Sequence, residues 1–537
     1  MEPDQCNALS EAVRKAYGRG EEDETLPPLV LTDGGNRPVG RIGKGEAVLF
    51  YNIRGEREIE LTRSLTEKGF GEFPVVENQG LAFATMIEYK KGLSVDVAFP
   101  PEGTVEGTLS ETIARHGLRQ VKITEAEKAV HVGYFLNGKR EDPFPGEERI
   151  IVPTRKDVAL FDEAPEMSSK GITEAAIEKI RDPGCRFILV NLPNVDVVGH
   201  IQNEAAILAA VECVDECAGK IVAAALAEGV TVVVAADHGT VEKWLYPDGN
   251  IDTGHTDSPV PLLLAGCSPG TALRAGGELT DVAPTVLSLL NLPQPKEMTG
   301  RSLIEPNAGH ASPATGNPVL DPRVLLVILD GWGWSGTAHG NLIAKARTPQ
   351  MDLLMQKWPH TTLEAAGESV GLPKGTVGNS EAGHLHIGAG RRIYSDRVKI
   401  DRAIADGSFF RNEAFLRTVH AARDRGAALH IMGIVSFFSS HGSINHLFAL
   451  MDLAKQEGIR ELYIHAMLGR RGEMPESGAH YVASIEKKAT EIGLGKVVSV
   501  IGRYWSMDRE ENWDRIGKTY RMLVNGEGTP CPADTTP

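Results

Sequence analysis

Short apolar segments alternate with longer amphipathic segments over residues 150–304 of this chain. The short segments have the length of buried strands, and the longer ones repeat apolar residues at the spacing of a helix face. The pattern predicts strands at 187–191, 230–236 and 260–265 and helices at 205–226 and 279–290. Strands that alternate with helices favour a parallel sheet covered on both faces, which is typical of the α/β class.

The same alternation is present on both sides of this region. It predicts a helix at 8–17 and strands at 29–32, 47–52, 324–329, 429–435, 461–466 and 497–501. Residues 305–322, EPNAGHASPATGNPVLDP, interrupt it with Pro, Gly, Ala and Ser and predict a linker. The last residues, 526–537, are predicted to be disordered. We therefore expect two doubly wound α/β domains.

The bulk properties exclude several classes of protein. At 537 residues the chain is long enough for about two to four domains. Its net charge of -16 argues against a nucleic-acid-binding protein, because a phosphate backbone would be repelled. The six cysteines show no CxxC spacing, no apolar segment is long enough to span a membrane, and the first residues, MEPDQCNALSEAVRKAYGRG, lack the apolar core of a signal peptide. We expect a monomeric cytoplasmic protein with no nucleic-acid or membrane partner.

Carboxylate and imidazole side chains recur beside the predicted strands. The candidates are Asp196, His200, Asp237, His238, His255 and Asp330. Open α/β sheets bind ligands outside the carboxyl ends of their strands, and this mixture of oxygen and nitrogen ligands suits Mn²⁺, Zn²⁺ or a similar divalent ion. One such pair would more often be a helix cap or a core histidine, but their repetition favours a metal site.

A candidate nucleophile, Ser380, lies in the glycine-rich segment 371–390, GLPKGTVGNSEAGHLHIGAG. Six of these residues are glycine, which lets the backbone approach a ligand closely and turns N–H groups toward an anion. Ser380 also precedes a possible helix start, where helix-end amides favour a phosphate. Taken alone, the segment fits a surface loop of small residues equally well.

Basic side chains follow the predicted strands outside residues 150–304. They are Arg54 and Arg57, His441, Arg470 and Arg471, and Arg503 and Arg509, and Lys128 follows a further short strand at 119–123. Arginines could clamp an anion through paired hydrogen bonds. Each one alone would be an ordinary surface cation. Together with the metal candidates and Ser380, they indicate a metal-dependent phosphoryl-transfer enzyme with a small, multiply anionic substrate.

Long motifs spread over most of the chain match those of a known protein family. The chain resembles the cofactor-independent phosphoglycerate mutases of the alkaline phosphatase superfamily. The matching segments are VILDGWG, TPQMD, GESVGLPKGTVGNSEAGHLHIGAGR, GRYWSMDR with WDR, FYNIRGER, HGLRQVKITEAEK, FPGEERI, NVDVVGH, AADHG, HT with PVP, and PQPKEMTGRSLI.

The order of these motifs differs from that of the family. In the family, the equivalent of VILDGWG opens the chain and that of EMTGRSLI closes it, so the chain is interpreted as circularly permuted. A short linker closes such a gap at modest entropic cost when the old termini are close. The resemblance then implies a substrate-binding domain from 395–537 and 1–98, a metal domain from 103–305 and 323–394, and a linker at 306–322.

The resemblance also implies roles for individual residues. Ser380 is expected to be transiently phosphorylated during interconversion of 3-phosphoglycerate and 2-phosphoglycerate. One divalent ion is expected on Asp330, Ser380, Asp237 and His238, and the second on Asp196, His200 and His255. The three-carbon phosphorylated acid is expected on His441, Arg471, Arg503, Arg509, Arg54, Arg57 and Lys128. Mn²⁺ is the expected ion, with Zn²⁺, Co²⁺ or Mg²⁺ as alternatives, and no 2,3-bisphosphoglycerate is required.

Two segments depart from the family's pattern. Phe437 and Phe438 stand where the family has Asp and Gly, and Gly472 replaces a carboxylate thought to move the proton of the reacting hydroxyl. A mutase would need a substitute, such as Glu473 or Glu56. The alternatives are the same chemistry on a different phospho- or phosphono-carboxylic acid, a phosphohydrolase, or a binding module without enzymatic activity.

Overall fold

A computed structural model describes residues 8–77, 79–246, 248–305, 322–437, 439–469 and 476–533. The chain folds into two compact units. Unit 1 comprises Met1–Pro101 and Asp396–Pro537, and unit 2 comprises Glu102–Ser395. The predicted linker, except for its last residue, lies outside the described residues, as do Phe438, Arg471, Gly472 and Glu473.

The strands follow the predicted apolar segments and add several that the pattern missed. In chain order they are β1 (Leu29–Thr32), β2 (Ala47–Phe50), β3 (Ala82–Ile87), β4 (Asp96–Phe99), β5 (Arg119–Glu125), β6 (Glu147–Val152), β7 (Cys185–Leu192), β8 (Thr231–Ala235), β9 (Val260–Ala265), β10 (Gly277–Glu278), β11 (Val324–Leu329), β12 (His360–Glu364), β13 (Leu429–Ile434), β14 (Leu462–Leu468), β15 (Lys496–Gly502) and β16 (Thr529–Pro532).

The α-helices connect these strands. In chain order they are α1 (Ala8–Tyr17), α2 (Ile59–Thr66), α3 (Leu109–Arg115), α4 (Ser169–Ile180), α5 (Asn194–Gly199), α6 (Glu204–Ala227), α7 (Val282–Leu289), α8 (Leu342–Lys345), α9 (Pro349–Lys357), α10 (Ser380–Ala389), α11 (Asp396–Asp406), α12 (Glu413–Arg425), α13 (Ile444–Gln456), α14 (Ser477–Ile492), α15 (Arg503–Ser506) and α16 (Trp513–Asn525). Within the described ranges, none of these helices is both long and apolar enough to span a membrane.

Unit 2 is built on a sheet with the strand order β10-β12-β9-β8-β11-β7-β5-β6. The five strands from β8 to β6 run parallel. Strand β11 is apolar and buried along its whole length, which suits a central strand covered on both faces. Its position between β7 and β8 brings the carboxyl ends of three strands together at one edge of the sheet.

Unit 1 is built on a second sheet with the order β16-β1-β15-β14-β13-β2-β3-β4. The six strands from β15 to β4 run parallel, and β1 is antiparallel to β15. Strands from the beginning of the chain therefore flank strands from its end in one sheet. Each unit buries its own apolar core. These findings confirm the predicted α/β class with two sheets.

Two sequence-based expectations are wrong. The sheet of unit 2 is not wholly parallel, because β9 runs antiparallel to β8 and to β12. The apolar content of a strand carries no information about its direction, so the pattern could not reveal this. The tail is not disordered throughout, because β16 pairs in parallel with β1 and buries Cys531. Its two prolines fit an edge strand, where missing N–H groups are tolerated.

A buried carboxyl makes the stability of unit 1 depend on pH. Glu486 of α14 accepts hydrogen bonds from the backbone N–H groups of Leu9 and Ser10 at 3.1 and 3.3 Å. Burial raises the pKa of Glu486 from 4.5 to about 7 despite these bonds. Between these pH values the folded protein keeps a proton that the unfolded chain releases, so the free energy of unfolding falls as pH rises.

Replacing Glu486 with glutamine should remove this dependence. From pH 4.5 to pH 7, the free energy of unfolding of wild type should fall by about 3 kcal/mol relative to that of Glu486→Gln, because only wild type has the buried carboxyl that loses its proton. Urea unfolding at several pH values measures the gain. Glu491→Gln, on the exposed side of the same helix, is the control and should follow wild type. Parallel pH profiles for wild type and Glu486→Gln would contradict the prediction.

Candidate functional site

Three neighbouring parallel strands bring carboxylates to one edge of the unit 2 sheet. Asp330 follows β11 directly, Asp237 lies two residues beyond β8, and Asp196 lies in α5, just after β7. The backbone N–H of Asp196 donates to the carbonyl of Asp330 at 3.2 Å. All three side chains are buried. Gly331, at φ 82°, permits this approach, because a Cβ there would lie 2.7 Å from the Asp196 backbone.

Ser380 is the first residue of α10, at the same edge of the sheet. The side chain of Asn379 caps this helix by accepting a hydrogen bond from the N–H of Ala382. The Oγ of Ser380 lies 2.9 Å from His238 Nε2 and 3.4 Å from Asp330 Oδ1. Ser380 is therefore fixed against the carboxylates, with its hydroxyl held on both sides.

Three histidines present the same ring nitrogen to the carboxylates. The Nδ1 atoms of His200, His238 and His255 lie 2.7, 3.2 and 3.0 Å from backbone carbonyl oxygens. A carbonyl only accepts, so each Nδ1 donates to it, and each Nε2 is the ring nitrogen that faces the carboxylates. The Nε2 atoms lie 3.3, 3.6 and 3.1 Å from Asp196 Oδ1. This arrangement is typical of histidines that bind a metal.

The donor atoms form two overlapping groups. Asp196, His238 and His255 offer ligand atoms within 4.8 Å of one another, and so do Asp237, His238 and Asp330. The Oδ2 atom of Asp237 is buried and, within the described ranges, makes no hydrogen bond of good geometry, since His384 Nδ1 lies 3.2 Å from it but also 2.9 Å from the carbonyl of Ser380. An unpaired buried carboxylate oxygen is costly unless a cation or a donor satisfies it. The mixed oxygen and nitrogen set therefore fits divalent cations.

Lys128 lies within this cluster. Its Nζ atom is 2.7 Å from Asp196 Oδ2, 2.7 Å from Asp330 Oδ1 and 2.6 Å from Ser380 Oγ. Burial alone lowers the pKa of Lys128, but the two carboxylates outweigh burial and raise it above its ordinary value. Lys128 therefore stays charged and supplies positive charge beside the serine hydroxyl.

The cluster opens into a cavity of about 390 Å³ that can admit a small molecule. Its lining residues include Lys128, Asp196, His200, His255 and Ser380. Both the Lys128 ammonium and the Ser380 hydroxyl are therefore within reach of a ligand in this cavity.

Sequence reasoning missed two buried polar side chains of the cluster. Asn191 donates to Asp330 Oδ2 at 2.8 Å, and His384 Nδ1 lies 3.2 Å from Asp237 Oδ2. His384 is four residues after Ser380 on α10, so helical periodicity could have placed both on one face. Asn191 lies inside the apolar strand β7, where its own residue type was the only signal.

Unit 1 carries the predicted basic residues beyond the ends of its strands. Arg54 and Arg57 follow β2, His441 follows β13, and Arg503 follows β15. Arg57 donates to the carbonyl of Met507 at 3.0 Å. Arg503 is buried and His441 is 5% exposed. The unit thus presents cationic groups at the carboxyl edge of its own sheet, where α/β sheets bind ligands.

Glu56 is held by two of the basic residues. Its carboxylate lies 3.4 Å from Arg54 and 3.0 Å from Arg509, and about half of its side chain is exposed. Glu56 therefore forms ion pairs with surface arginines. This finding makes Glu56 a weaker candidate for replacing the carboxylate that is absent at Gly472.

Phe437 lies in the altered segment before His441. Its ring packs edge-on against Tyr481, with ring centroids 5.6 Å apart. The guanidinium of Arg397 donates to the carbonyls of Phe437 and Ser439 at 2.6 and 3.2 Å. The segment is thus anchored through its backbone, and the phenylalanine side chain adds apolar surface there.

Comparison with known proteins gives two family matches. A family described as the Metalloenzyme superfamily matches residues 30–294, and the BPG-independent PGAM N-terminus matches residues 400–536. The solved structure of Leishmania mexicana phosphoglycerate mutase at low cobalt concentration is 32% identical, covers 51% of this chain and 53% of its own, and gives a TM-score of 0.36.

Curated relatives agree with these matches. The 2,3-bisphosphoglycerate-independent phosphoglycerate mutase of Thermomicrobium roseum is 45% identical over 301 residues, 55% of this chain and 57% of the relative. The protein of the same name from Moorella thermoacetica is 42% identical over 305 residues, 56% of this chain and 58% of the relative. The chain thus spans a little over half the length of these relatives. With both family matches beside them, the chain is similar to the 2,3-bisphosphoglycerate-independent phosphoglycerate mutases.

Proposed function

We propose that the protein interconverts 3-phosphoglycerate and 2-phosphoglycerate through a phosphoserine at Ser380. The observation that carries this proposal is the position of the Ser380 hydroxyl, 2.6 Å from the Lys128 ammonium and 2.9 Å from His238 Nε2. A hydroxyl held beside a fixed cation is favoured as a nucleophile, because the cation stabilises the developing alkoxide. The names of the curated relatives support the same substrate.

Two divalent ions, with Mn²⁺ as the first choice, complete the proposed site. Asp330, Asp237, His238 and Ser380 would hold one ion, and Asp196, His200 and His255 would hold the other. Bound ions would neutralise phosphoryl oxygens and lower the barrier to displacement at phosphorus. The donor groups described above support this assignment, since the Nε2 atom of each histidine lies within 3.6 Å of Asp196 Oδ1.

The chemistry consists of two phosphoryl transfers. In the first, Ser380 Oγ bonds to phosphorus and loses its proton, the ester bond to glycerate breaks, and the released glycerate oxygen gains a proton. In the second, the neighbouring hydroxyl of the retained glycerate bonds to phosphorus and loses its proton, while Ser380 Oγ regains one. Lys128 keeps its charge throughout and stabilises the anionic oxygens. The proposed ligands of the acid are the basic residues Arg54, Arg57, His441, Arg471, Arg503 and Arg509.

The proposal includes a circular permutation of the family's domain order. Two observations support it. The match to the family's N-terminal region falls at residues 400–536, after the superfamily match at 30–294. Unit 1 also combines the first and last parts of the chain around a continuous unit 2. The proposed enzyme is a cytoplasmic monomer and requires no 2,3-bisphosphoglycerate.

One observation favours a second candidate function. Phe437 packs against Tyr481 at a position where the family carries an aspartate, so the acid-binding side is less polar than expected. The same serine and metal chemistry on a different phospho- or phosphono-carboxylic acid would suit this change.

Phosphorus NMR of the Mn²⁺-loaded protein with 3-phosphoglycerate tests both candidates. We expect a growing 2-phosphoglycerate signal that approaches the same ratio from either isomer. Inorganic phosphate in its place would indicate a phosphohydrolase, because water would then have attacked the phosphoserine. An unchanged spectrum with each of the four candidate ions would contradict the mutase and favour the second candidate.

A further inference from the structure

A buried carboxylate lies beside His441 in unit 1. Glu58, the residue before α2, is 0% exposed, and its Oε1 atom is 3.5 Å from His441 Nδ1. A fully buried acid without a function is unusual, because removing its charge from water is costly unless partners satisfy it.

The surroundings of Glu58 fix its orientation. The side-chain amide of Asn52 donates to Oε1 at 2.7 Å, and the backbone N–H of Arg57 donates to Oε2 at 3.0 Å. Asn52 in turn accepts a hydrogen bond from the N–H of Ile434 at 2.8 Å. Both oxygens therefore act as acceptors, as in an ionised carboxylate, and the group is tied to the end of β13.

His441 is held equally firmly but lacks a partner at one nitrogen. Its backbone N–H donates to Ser439 Oγ at 3.1 Å, and its carbonyl accepts from the N–H of Ile53 at 2.7 Å. Its Nδ1 atom is buried, and within the described residues its approach to Glu58 Oε1, at 3.5 Å, is longer than a good hydrogen bond and is its one contact with an acid. Among the described residues, Glu58 is the acid whose carboxylate comes within 4 Å of a ring nitrogen of His441.

We infer that Glu58 is the positioning residue that keeps the proton of His441 on Nδ1, so that Nε2 can exchange a proton with the hydroxyls of glycerate. This inference rests on the proposed function. In the first transfer, the doubly protonated ring gives its Nε2 proton to the glycerate oxygen that leaves phosphorus and keeps its Nδ1 proton beside Glu58, while the proton of Ser380 passes to water and returns in the second transfer. In the second, the same Nε2 takes the proton of the neighbouring hydroxyl as that oxygen bonds to phosphorus. The histidine ends as it began, and the pair replaces the carboxylate absent at Gly472.

The substitution Glu58→Gln tests the pairing with little change in shape. Its amide N–H₂ can donate to Nδ1 of His441, which would move the ring proton to Nε2 and block proton acceptance there. We expect kcat with 3-phosphoglycerate to fall by about 10²- to 10⁴-fold with little change in KM. Glu58→Asp keeps the charge and should restore part of the loss.

A second readout does not depend on turnover. Nitrogen-15 NMR of the full chain labelled at histidine distinguishes the two tautomers, and His441→Asn identifies the resonances of His441. We expect protonated Nδ1 in wild type and protonated Nε2 in Glu58→Gln. The resonances of His420 and His446, which face Glu457 and Asp401, should stay unchanged and report an intact fold. If Glu58→Gln does not fold, Glu58→Asp carries the same measurements.

The matched control is Glu60→Gln in the same segment. Glu60 is also a buried acid, but its Oε1 accepts from the N–H of Glu511 at 3.0 Å and it does not contact His441. An unchanged His441 tautomer in Glu58→Gln, or an equal loss of kcat in Glu60→Gln, would overturn the inference. A third outcome separates the two proposals. If Glu58→Gln changes the His441 tautomer but the wild-type protein does not convert 3-phosphoglycerate, the pairing of Glu58 with His441 is supported and the mutase activity is rejected.

Discussion

Ser380→Ala should abolish the turnover of phosphoglycerate by the metal-loaded protein. The substitution removes the oxygen that bonds to phosphorus, and none of the described side chains beside it offers another hydroxyl at 2.6 Å from Lys128 Nζ. We expect a fall in kcat of about 10⁴-fold or more, as is usual when a covalent nucleophile is lost. Phosphorus NMR measures the rate, and mass spectrometry of acid-quenched protein should detect a phosphoryl adduct in wild type alone.

A serine nearby in the chain provides the matched control. Ser369 is also buried, but its hydroxyl donates to the carbonyl of Ala366 at 2.8 Å and does not contact the carboxylate cluster. Ser369→Ala should therefore keep wild-type activity within a few-fold. Turnover in Ser380→Ala comparable to that of wild type would rule out the phosphoserine route and favour direct transfer to another acceptor.

Removal of divalent ions should both inactivate the protein and lower its thermal stability. Among the described residues, unit 2 buries Asp196, Asp237 and Asp330 around Lys128 and His238, so the cluster has an excess of carboxylates over these two basic groups. Burial and the charge of Asp237 raise the pKa of Asp330, which reflects this excess. A bound cation relieves it, and an ion present at about 100 times its Kd adds about 2.7 kcal/mol to the free energy of unfolding.

Calorimetry with and without Mn²⁺ measures this stabilisation. For a unit of this size we expect Mn²⁺ to raise Tm by roughly 5 °C. Asp237→Asn should lose most of the increase, since it removes a candidate ligand. Asp215→Asn is the control: Asp215 is buried in the same unit but accepts from the N–H groups of Gln350 and Met351. Asp215→Asn should have a lower Tm than wild type, but Mn²⁺ should raise its Tm by the same amount as in wild type. An undiminished response in Asp237→Asn would contradict the assigned ligand set.

The sequence predicted the central strands well because burial on both faces leaves a continuous apolar segment. Strands β9 and β11 begin and end where the pattern placed them. The candidate ligands Asp237 and Asp330 could be found for a related reason, since polar residues directly after such segments must lie at the edge of a sheet. The roles assigned to them remain predictions until the experiments above are done.

Other features depend on contacts that no local pattern records. Strand β12 has only one fully buried residue, Leu363, so it lacks the apolar signal of an interior strand. Helix α3 begins at Leu109, because the side chain of Thr108 accepts a hydrogen bond from the N–H of Glu111 and caps the helix. The burial of Glu58 involves Asn52, six residues before it, and His441, which is distant in the sequence. From the sequence alone, a charged residue is predicted to be exposed even when tertiary contacts bury it.

The interleaved sheet of unit 1 has a consequence for how the protein is made. During synthesis, β2, β3 and β4 leave the ribosome long before β13, which pairs with β2. Unit 2 is continuous in sequence, so all of its strands emerge before β13 is translated. The nascent chain can therefore fold unit 2 before unit 1 is complete. During that time β2 lacks its partner β13 and has an unpaired edge. That edge is where chaperones or aggregation would act on the growing chain.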